Sequence, residues 1–244
     1  KTLYWAQCNL GATNTEDYGD YFAWGATELA YSSLSSNIFT FKDSRPYSYG
    51  EGGWNAGIGF AFDKVNVPYY KGSAYTKYIG SDYSILQPSD DAATQADPNH
   101  SWRIPTMEEF VALVESCVWE WTDSYNETDT SGYIVYKAKN RDDKGKANMN
   151  GTWKKWKGNT YDEDSAAIET YSTSDSHIFF PAGGTGYEIH LNDAGSLGRY
   201  WSSTLGSENT DWAYYLYFTK DGIYPQDNYY RNYGYSIRPV KDAE

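Results

Sequence analysis

Side chains suited to ligand recognition crowd the segment between residues 212 and 233. Tyr and Trp give large rigid contact surfaces, and neighbouring Asn, Asp and Gln supply adaptable hydrogen-bonding groups, which is the chemistry of antibody-like binding surfaces. Leu216, Phe218 and Ile237 are apolar residues of flanking predicted strands, so we expect them to face inward. The residues left between those strands are polar or amphipathic and have no core to enter. The predicted ligand-binding residues, expected together and mostly exposed on one side of the domain, are Trp212, Tyr224, Gln226, Asp227, Asn228, Tyr229, Tyr230, Asn232 and Tyr233.

Residue types that catalyse reactions or bind metals are present but scattered. His100, His177 and His190 lack metal-ligand spacing. A glycosidase needs two carboxylates about 5–10 Å apart across a cleft, whereas Glu108 and Glu109 fit the first turn of a helix. No nucleophile elbow or phosphate loop occurs. We therefore expect no catalytic residue, no metal site and no cofactor, and interpret the chain as a binding protein and not an enzyme.

The two cysteines, Cys8 and Cys117, leave two alternatives open. They form one disulfide, or Cys117 is a buried free thiol that acts as a small apolar residue on a helix. The sequence favours the free thiol.

Composition restricts the partners. The chain has 244 residues with a formal net charge of −13, so it repels the phosphates of nucleic acids and anionic lipid headgroups. No apolar run approaches the roughly 20 residues that span a bilayer. The 26 Tyr and 10 Trp are too many for a core alone, so a share of them should lie on the surface. Abundant Tyr, Asn, Ser, Thr and Gly with little Lys indicate an extracellular protein.

The elements that must position the binding residues include one strong helix. Thr106 and Glu109 form a capping-box pattern after Pro105, which predicts a helix over residues 107–117. Residues 15–17 predict a second, shorter helix near Tyr18. The apolar stripe expected on the first helix is Met107, Phe110, Val111, Val114, Cys117, Val118 and Trp121. We expect the Phe110 face of this helix to build the core together with Trp102 and Trp201.

Short β-branched and aromatic runs predict strands over residues 133–136, 178–180, 188–191, 213–218 and 235–238. In the fourth of these, alternation places Tyr214, Leu216 and Phe218 on one face and Tyr215 and Tyr217 on the other. Residues 45–100 and 138–176 are interpreted as loop-rich insertions in a single domain that spans residues 1–244.

Seven segments, in order along the chain, resemble the Fibrobacter succinogenes major paralogous domain family. They are WAQCNLGA (residues 5–12), EDYGDYFAWG (16–25), DDAA (90–93), SWRIPT (101–106), IFFPAGG (178–184), GRYWSST (198–204) and SIRPV (236–240). The resemblance implies an α+β, C-type-lectin-like fold, in which two helices pack on small antiparallel sheets and long loops bear the binding surface. It also implies a surface lipoprotein of Bacteroidetes, with a lipid anchor that precedes residue 1, and supporting roles for Arg231, Gly234, Arg238 and Pro239.

The Tyr- and Asn-rich C-terminal segment also resembles the variable region of diversity-generating retroelement proteins. An ordinary hydrogen-bonded loop of the same composition is the alternative that the sequence favours. The Glu-Pro-Asn, Gln-Pro-Asp and Trp-Asn-Asp triplets of calcium-dependent lectins are absent. The expected function is recognition or adhesion at the cell surface, with a protein or a glycan as ligand. The alternative is a structural subunit of the cell envelope or of a pilus tip.

Overall fold

Most of the chain forms short antiparallel sheets around two α-helices. The computed structural model describes residues 2–42, 60–163, 166 and 168–243. The helices are α1 (Ala92–Ala96) and α2 (Met107–Ser116). The strands are β1 (Leu3–Trp5), β2 (Tyr31–Ser35), β3 (Ile38–Phe41), β4 (Tyr70–Lys71), β5 (Ala74–Tyr75), β6 (Cys117–Thr122), β7 (Gly132–Lys137), β8 (Lys146–Met149), β9 (Thr152–Trp156), β10 (Tyr161–Glu163), β11 (His177–Pro181), β12 (Thr185–Tyr187), β13 (His190–Asn192), β14 (Leu197–Leu205), β15 (Trp212–Thr219), β16 (Gly222–Tyr230) and β17 (Val240–Asp242). This content is compatible with the expected α+β class and equally with a mostly β class.

Two sheets dominate the architecture. The larger has the strand order β10-β9-β8-β6-β7-β11, with one parallel pair between β6 and β8. The smaller is the antiparallel sheet β14-β15-β16. A four-stranded sheet (β12-β13-β3-β2) and the pairs β1-β17 and β4-β5 complete the sheets of the described residues.

Helix α2 begins where the sequence predicts. The Thr106 hydroxyl accepts a hydrogen bond from the Glu109 amide at 3.3 Å, and the Glu109 carboxylate accepts one from the Thr106 amide at 2.9 Å. These two bonds satisfy amides that the first turn leaves unpaired. Phe110 and Val114 are buried as expected, and Leu113 joins them.

The predicted end of this helix is wrong. The helix stops at Ser116, and Cys117, Val118 and Trp121 belong to β6. Strand β6 pairs with β7 on one side and β8 on the other, so both of its edges are hydrogen-bonded. That long-range pairing outweighs a helical periodicity that extends by chance into the strand.

The predicted second helix is also wrong. Residues 15–17 form a turn, in which the Asp17 carboxylate accepts hydrogen bonds from the amides of Thr13 (3.3 Å) and Asn14 (2.8 Å). Such local side-chain bonds compete with helix formation. The second helix of the described chain is α1, which Asp91 caps by accepting a bond from the Thr94 amide.

Three of the five strand predictions are confirmed. Residues 133–136, 178–180 and 213–218 lie in β7, β11 and β15, as predicted. The strand predicted over residues 188–191 is shorter than expected, because Glu188 has φ +52° in a turn and β13 starts at His190. Of residues 235–238, only Tyr235 and Ser236 form isolated bridges, with Phe22 and Tyr200, and the regular closing strand is β17, beyond Pro239.

The core is divided into several clusters. One contains Phe110 of α2 with Leu216 and Phe218, and another contains Trp201 with Ile237. Leu216, Phe218 and Ile237 are therefore buried as expected. Trp102 is only partly buried, below the Lys241 ammonium, so its assignment to the core is wrong.

The two segments interpreted as insertions contribute to this packing. From residue 60 onward the first of them supplies buried Phe62 and Tyr78, and residues 43–59 lie outside the described part. The second contains the hairpin β8–β9 and β10, which extend the larger sheet.

Cys8 and Cys117 are free thiols, so no disulfide joins them. Cys117 lies at the start of β6 and is partly buried, and burial raises the pKa of its thiol. Within the described residues, neither helix has the length and apolar content that a bilayer crossing requires.

Candidate ligand-binding face

The nine predicted binding residues lie on or just after the sheet β14-β15-β16, at different degrees of burial. Tyr224, Gln226 and Tyr229 are exposed. Asn232 is only 5% exposed, contrary to expectation, because the chain turns inward after β16. Those of intermediate exposure are Trp212, Asp227, Asn228, Tyr230 and Tyr233.

Strand register separates the nine residues into two sets. Tyr224 is opposite Tyr217, Asp227 is opposite Tyr215, and Tyr229 is opposite Ala213, so these three point to one face of the sheet. Trp212, Asn228 and Tyr230 have the opposite parity. Not all nine therefore project from one side. At the end of β16, however, the Tyr229 and Tyr230 rings lie 5.0 Å apart and both contact Trp212.

A row of side chains crosses all three strands on the first of these faces. Arg199 of β14 is opposite Tyr217 of β15, which is opposite Tyr224 of β16. The Arg199 guanidinium lies 5.3 Å from the Tyr217 ring centroid, and the Tyr217 and Tyr224 rings stack at 5.5 Å with an interplanar angle of 18°. We call the exposed and partly exposed rings of Tyr187, Tyr217, Tyr224, Tyr229 and Tyr233 the tyrosine face.

The middle of this face is covered by the chain itself. Tyr235 packs on Trp201 at 4.1 Å and on Tyr215 at 4.9 Å. The Tyr215 hydroxyl donates to the Asp227 carboxylate at 2.9 Å. The sheet side chains beneath Tyr235 are therefore fixed, while those on either side of it remain accessible.

Two grooves flank the covered part. One, of about 330 Å³, lies beside Tyr217 and Tyr224 and is also lined by Trp156, Asn159 and Gln226. The other, of about 260 Å³, lies between Tyr187, Tyr233 and the loop at Lys64. In the second groove the Tyr187 and Tyr233 rings stack at 4.8 Å, and the Lys64 ammonium lies 4.6 Å from the Tyr230 ring centroid.

Buried arginines hold the chain that carries the face. Arg231 donates to the carbonyls of Lys77, Tyr78 and Thr210 at 3.1–3.3 Å. Arg238 donates to Asn9 and to backbone carbonyls, including that of Phe179 at 2.6 Å. These contacts fit the supporting role that the resemblance implies for both arginines.

Gly234 allows a close approach next to these arginines. It forms a bridge with Gly186, and the Phe62 ring lies where a Cβ on Gly234 would be, with its nearest atom at 2.3 Å. A side chain at this position would push the segment away from the sheet.

The pKa values of the Tyr187, Tyr217 and Tyr233 hydroxyls lie above the ordinary tyrosine value, so these three groups are neutral at physiological pH. Burial raises the pKa of Tyr217 and of Tyr233, and the charge of Arg199 opposes this increase without cancelling it. The face therefore offers hydrogen-bond donors and aromatic surface in place of negative charge.

A larger cleft, of about 1100 Å³, lies apart from the face, beside β1 and β17. It contains two carboxylates and a histidine, which is the combination that catalysis would need. Asp91 caps α1, however, Asp242 pairs with Arg103 at 3.2 Å, and the His100 ring bonds the Thr94 carbonyl at 2.8 Å. These structural partners explain the polar residues of this cleft. The residues that the structure describes contain no group of His, Cys, Asp and Glu suited to hold a metal ion.

Sequence reasoning missed Arg199, Tyr217 and Tyr187 as members of the site. For Tyr217 a signal was present: strand alternation places it on the face opposite Leu216 and Phe218. The structure pairs it with Tyr224 across a hairpin whose turn residues are 220 and 221. Arg199 and Tyr187 have no comparable local signal, because distant segments bring them to the face.

Comparison with known proteins gives one match. Residues 163–240, which include β11 to β16 and hence the tyrosine face, match a family described as Domain of unknown function (DUF8237). No curated protein and no solved structure matches the chain. Over this C-terminal third, the chain is thus similar to a family whose description states no function.

Proposed function

We propose that this protein is a recognition module of the cell surface that binds a protein or glycan ligand through the tyrosine face. The observation that carries the proposal is the row Arg199–Tyr217–Tyr224, which places a cation and two stacked rings side by side on a rigid sheet. Tyr224 is 51% exposed and Tyr229 is 37% exposed. Clustered exposed aromatic side chains usually mark interaction sites.

The contacts that hold the tyrosine face in place favour ligand binding. Strand pairing, the Tyr215–Asp227 hydrogen bond and the Arg231 carbonyl contacts fix the positions of the rings before a ligand arrives. Such preorganisation reduces the entropy that binding costs. The proposal assigns no catalytic step to the protein.

The finer description of the fold is part of this proposal. Two helices, small sheets and a C-terminal half that carries the candidate site are compatible with a C-type-lectin-like domain. Placement in the Fibrobacter succinogenes major paralogous domain family, and on the surface of a Bacteroidetes cell by a lipid anchor, rests on the sequence resemblance.

The test is a glycan array and a panel of purified host and bacterial surface proteins, probed with wild type and with Tyr224→Ala and Tyr229→Ala. Each substitution should weaken binding to a true ligand by about 1–3 kcal/mol, roughly fivefold to more than a hundredfold. Tyr4→Ala is the matched control, because Tyr4 is 55% exposed but lies on β1. Ligands that bind all four proteins equally would show that the face is not the site.

One observation favours the alternative of an assembly subunit. Strand β16 is at the edge of its sheet, so among the described strands it pairs only with β15. Open edges accept strands from other chains, although the bulge at Pro225 restricts such pairing to part of β16. Light scattering at increasing concentration decides the matter, since an assembly subunit should associate and a recognition module should remain monomeric.

A further inference from the structure

The arginines that support or line the candidate site differ in how their donors are used. Arg238 fills its guanidinium donors with Asn9 and three backbone carbonyls, at 2.6–3.0 Å. Arg231 likewise reaches three carbonyls. Among the described residues, Arg199 makes one long hydrogen bond, to the Tyr235 hydroxyl at 3.4 Å, and its buried Nε, like that of Arg231, has no partner. Most of the donors on the two Nη atoms of Arg199 are therefore uncommitted.

Arg199 also has no counter-ion within the described part of the chain, since none of the ion pairs there includes it. Asp227, an acidic side chain of the site, already accepts hydrogen bonds from the Tyr215 hydroxyl and the Asn228 amide, each at 2.9 Å. The guanidinium is surrounded by the rings of Tyr215, Tyr217 and Tyr235, at 5.3–5.7 Å from their centroids. An arginine held only by rings keeps its planar fork free for a carboxylate.

This cation lies at one end of the row Arg199–Tyr217–Tyr224 and adjoins the tyrosine face. Its guanidinium is 5.3 Å from the Tyr217 ring centroid and 5.5 Å from that of Tyr235. Arg199 is partly exposed and adjoins the Tyr217–Tyr224 stack. A ligand lying on that stack would reach the guanidinium.

The local geometry favours a sugar over an extended peptide. Pro225 and Gln226 together oppose Leu216, so a β-bulge interrupts the edge strand and Pro225 offers no amide proton. Both features oppose the addition of a peptide strand. The groove of about 330 Å³ instead combines the Tyr224 ring with the amide groups of Asn159 and Gln226 and with the Asp227 carboxylate, all of which suit the hydroxyl groups of a sugar.

We propose that the tyrosine face binds an acidic glycan, in which the carboxylate of a uronic or sialic acid unit pairs with Arg199 while a sugar ring lies on Tyr217 and Tyr224. This inference depends on the proposed recognition function and names its ligand class. The carboxylate replaces water around Arg199, and this short-range contact must outweigh the longer-range repulsion from a chain with a net charge of −13. The tyrosines and amides select the sugar.

The experiment is isothermal titration calorimetry with two matched pairs of probes. The first pair is hexagalacturonate and its methyl ester, and the second is sialyllactose and lactose. We expect at least one acidic probe to bind wild type ten times or more as tightly as its neutral counterpart. Arg199→Gln should abolish that preference, and Arg199→Lys should retain part of it, because Lys keeps the charge but loses the bidentate fork. Arg141→Gln, at an exposed arginine before β8, is the control.

Each other outcome overturns the inference. Three results exclude the carboxylate contact. They are equal affinity for acidic and neutral probes, no binding of either acidic probe, and a preference for acidic probes that survives Arg199→Gln in a protein with an unchanged near-UV spectrum. Stronger, Arg199-dependent binding of the peptide acetyl-Glu-Glu-Glu-amide would replace the glycan with an acidic peptide. If only neutral ligands bind, and Tyr224→Ala weakens that binding, the proposed recognition function stands and the acidic-glycan inference is wrong.

Discussion

Replacement of Trp201 by alanine should be among the most destabilising single changes in this protein. The side chain is completely buried, and its ring lies 4.1 Å from that of Tyr235 and 5.9 Å from that of Tyr215. Its Nε1 donates to the Phe22 carbonyl at 2.7 Å. Trp201 thus joins β14, the N-terminal segment and the segment that covers the tyrosine face.

The magnitude follows from two contributions. Removal of a buried Trp side chain costs about 3–5 kcal/mol through lost contacts and the cavity that remains. The Phe22 carbonyl also loses one of its two donors, although the Tyr235 amide still donates to it at 3.1 Å, and the loss of one such hydrogen bond costs about 1 kcal/mol. A sum of roughly 4–6 kcal/mol approaches the total stability of a typical domain, about 5–15 kcal/mol. Trp201→Ala should therefore be marginally folded at room temperature.

Trp102→Ala provides the matched comparison, since Trp102 is partly exposed and packs against Lys241. We expect its cost to be only about 1 kcal/mol. Urea denaturation followed by far-UV circular dichroism measures both variants, and the denaturant slope shows whether both remain two-state. Equal costs for the two variants, or a loss below about 1.5 kcal/mol for Trp201→Ala, would refute this account of the core.

The remaining predictions concern caps, charge and the face. Thr106→Ala should cost about 1 kcal/mol in urea denaturation through loss of the helix cap, and Thr106→Ser should cost much less. Asp90 is buried, and although burial raises the pKa of its carboxyl, hydrogen bonds from Lys77, Tyr69 and Tyr78 outweigh this effect and hold the pKa below its ordinary value. The stabilisation that the Asp90 carboxylate contributes is thus present above the unfolded-state pKa and is lost as the pH falls through the folded-state pKa. Asp90→Asn should therefore cost about 2 kcal/mol near pH 7. Thermal melts of both proteins between pH 7 and pH 2 should show this difference in stability vanish in acid. Tyr224→Ala should change stability by less than about 0.5 kcal/mol while it weakens ligand binding, which separates a binding role from a structural one.

Short-range signals were sufficient for several elements. The capping box at Thr106 and Glu109 involves residues three apart, so its hydrogen bonds form without help from the rest of the fold. The alternation in β15 likewise assigned Leu216 and Phe218 to one core cluster and Tyr215 to another. Local geometry alone determines both patterns.

Tertiary structure decided where α2 ends, where the second helix forms and which binding residues are accessible. The apolar periodicity of α2 continues into Cys117, Val118 and Trp121, and only pairing of β6 with β7 and β8 converts these residues to strand. A period of two assigns residues to faces but does not reveal that Tyr235 will cover one of those faces.

The surroundings of Arg199 show most clearly what the sequence alone does not predict. The sequence determined that an aromatic, acidic chain concentrates Tyr, Asn and Asp near its C-terminus, and composition suffices for that conclusion. It did not reveal that one arginine would lie among Tyr215, Tyr217 and Tyr235 with most of its donors unused. Residues 199, 217, 224 and 235 meet only when three strands pair and the following segment folds back across them. The charge environment of a residue depends on these long-range contacts, which no local pattern encodes.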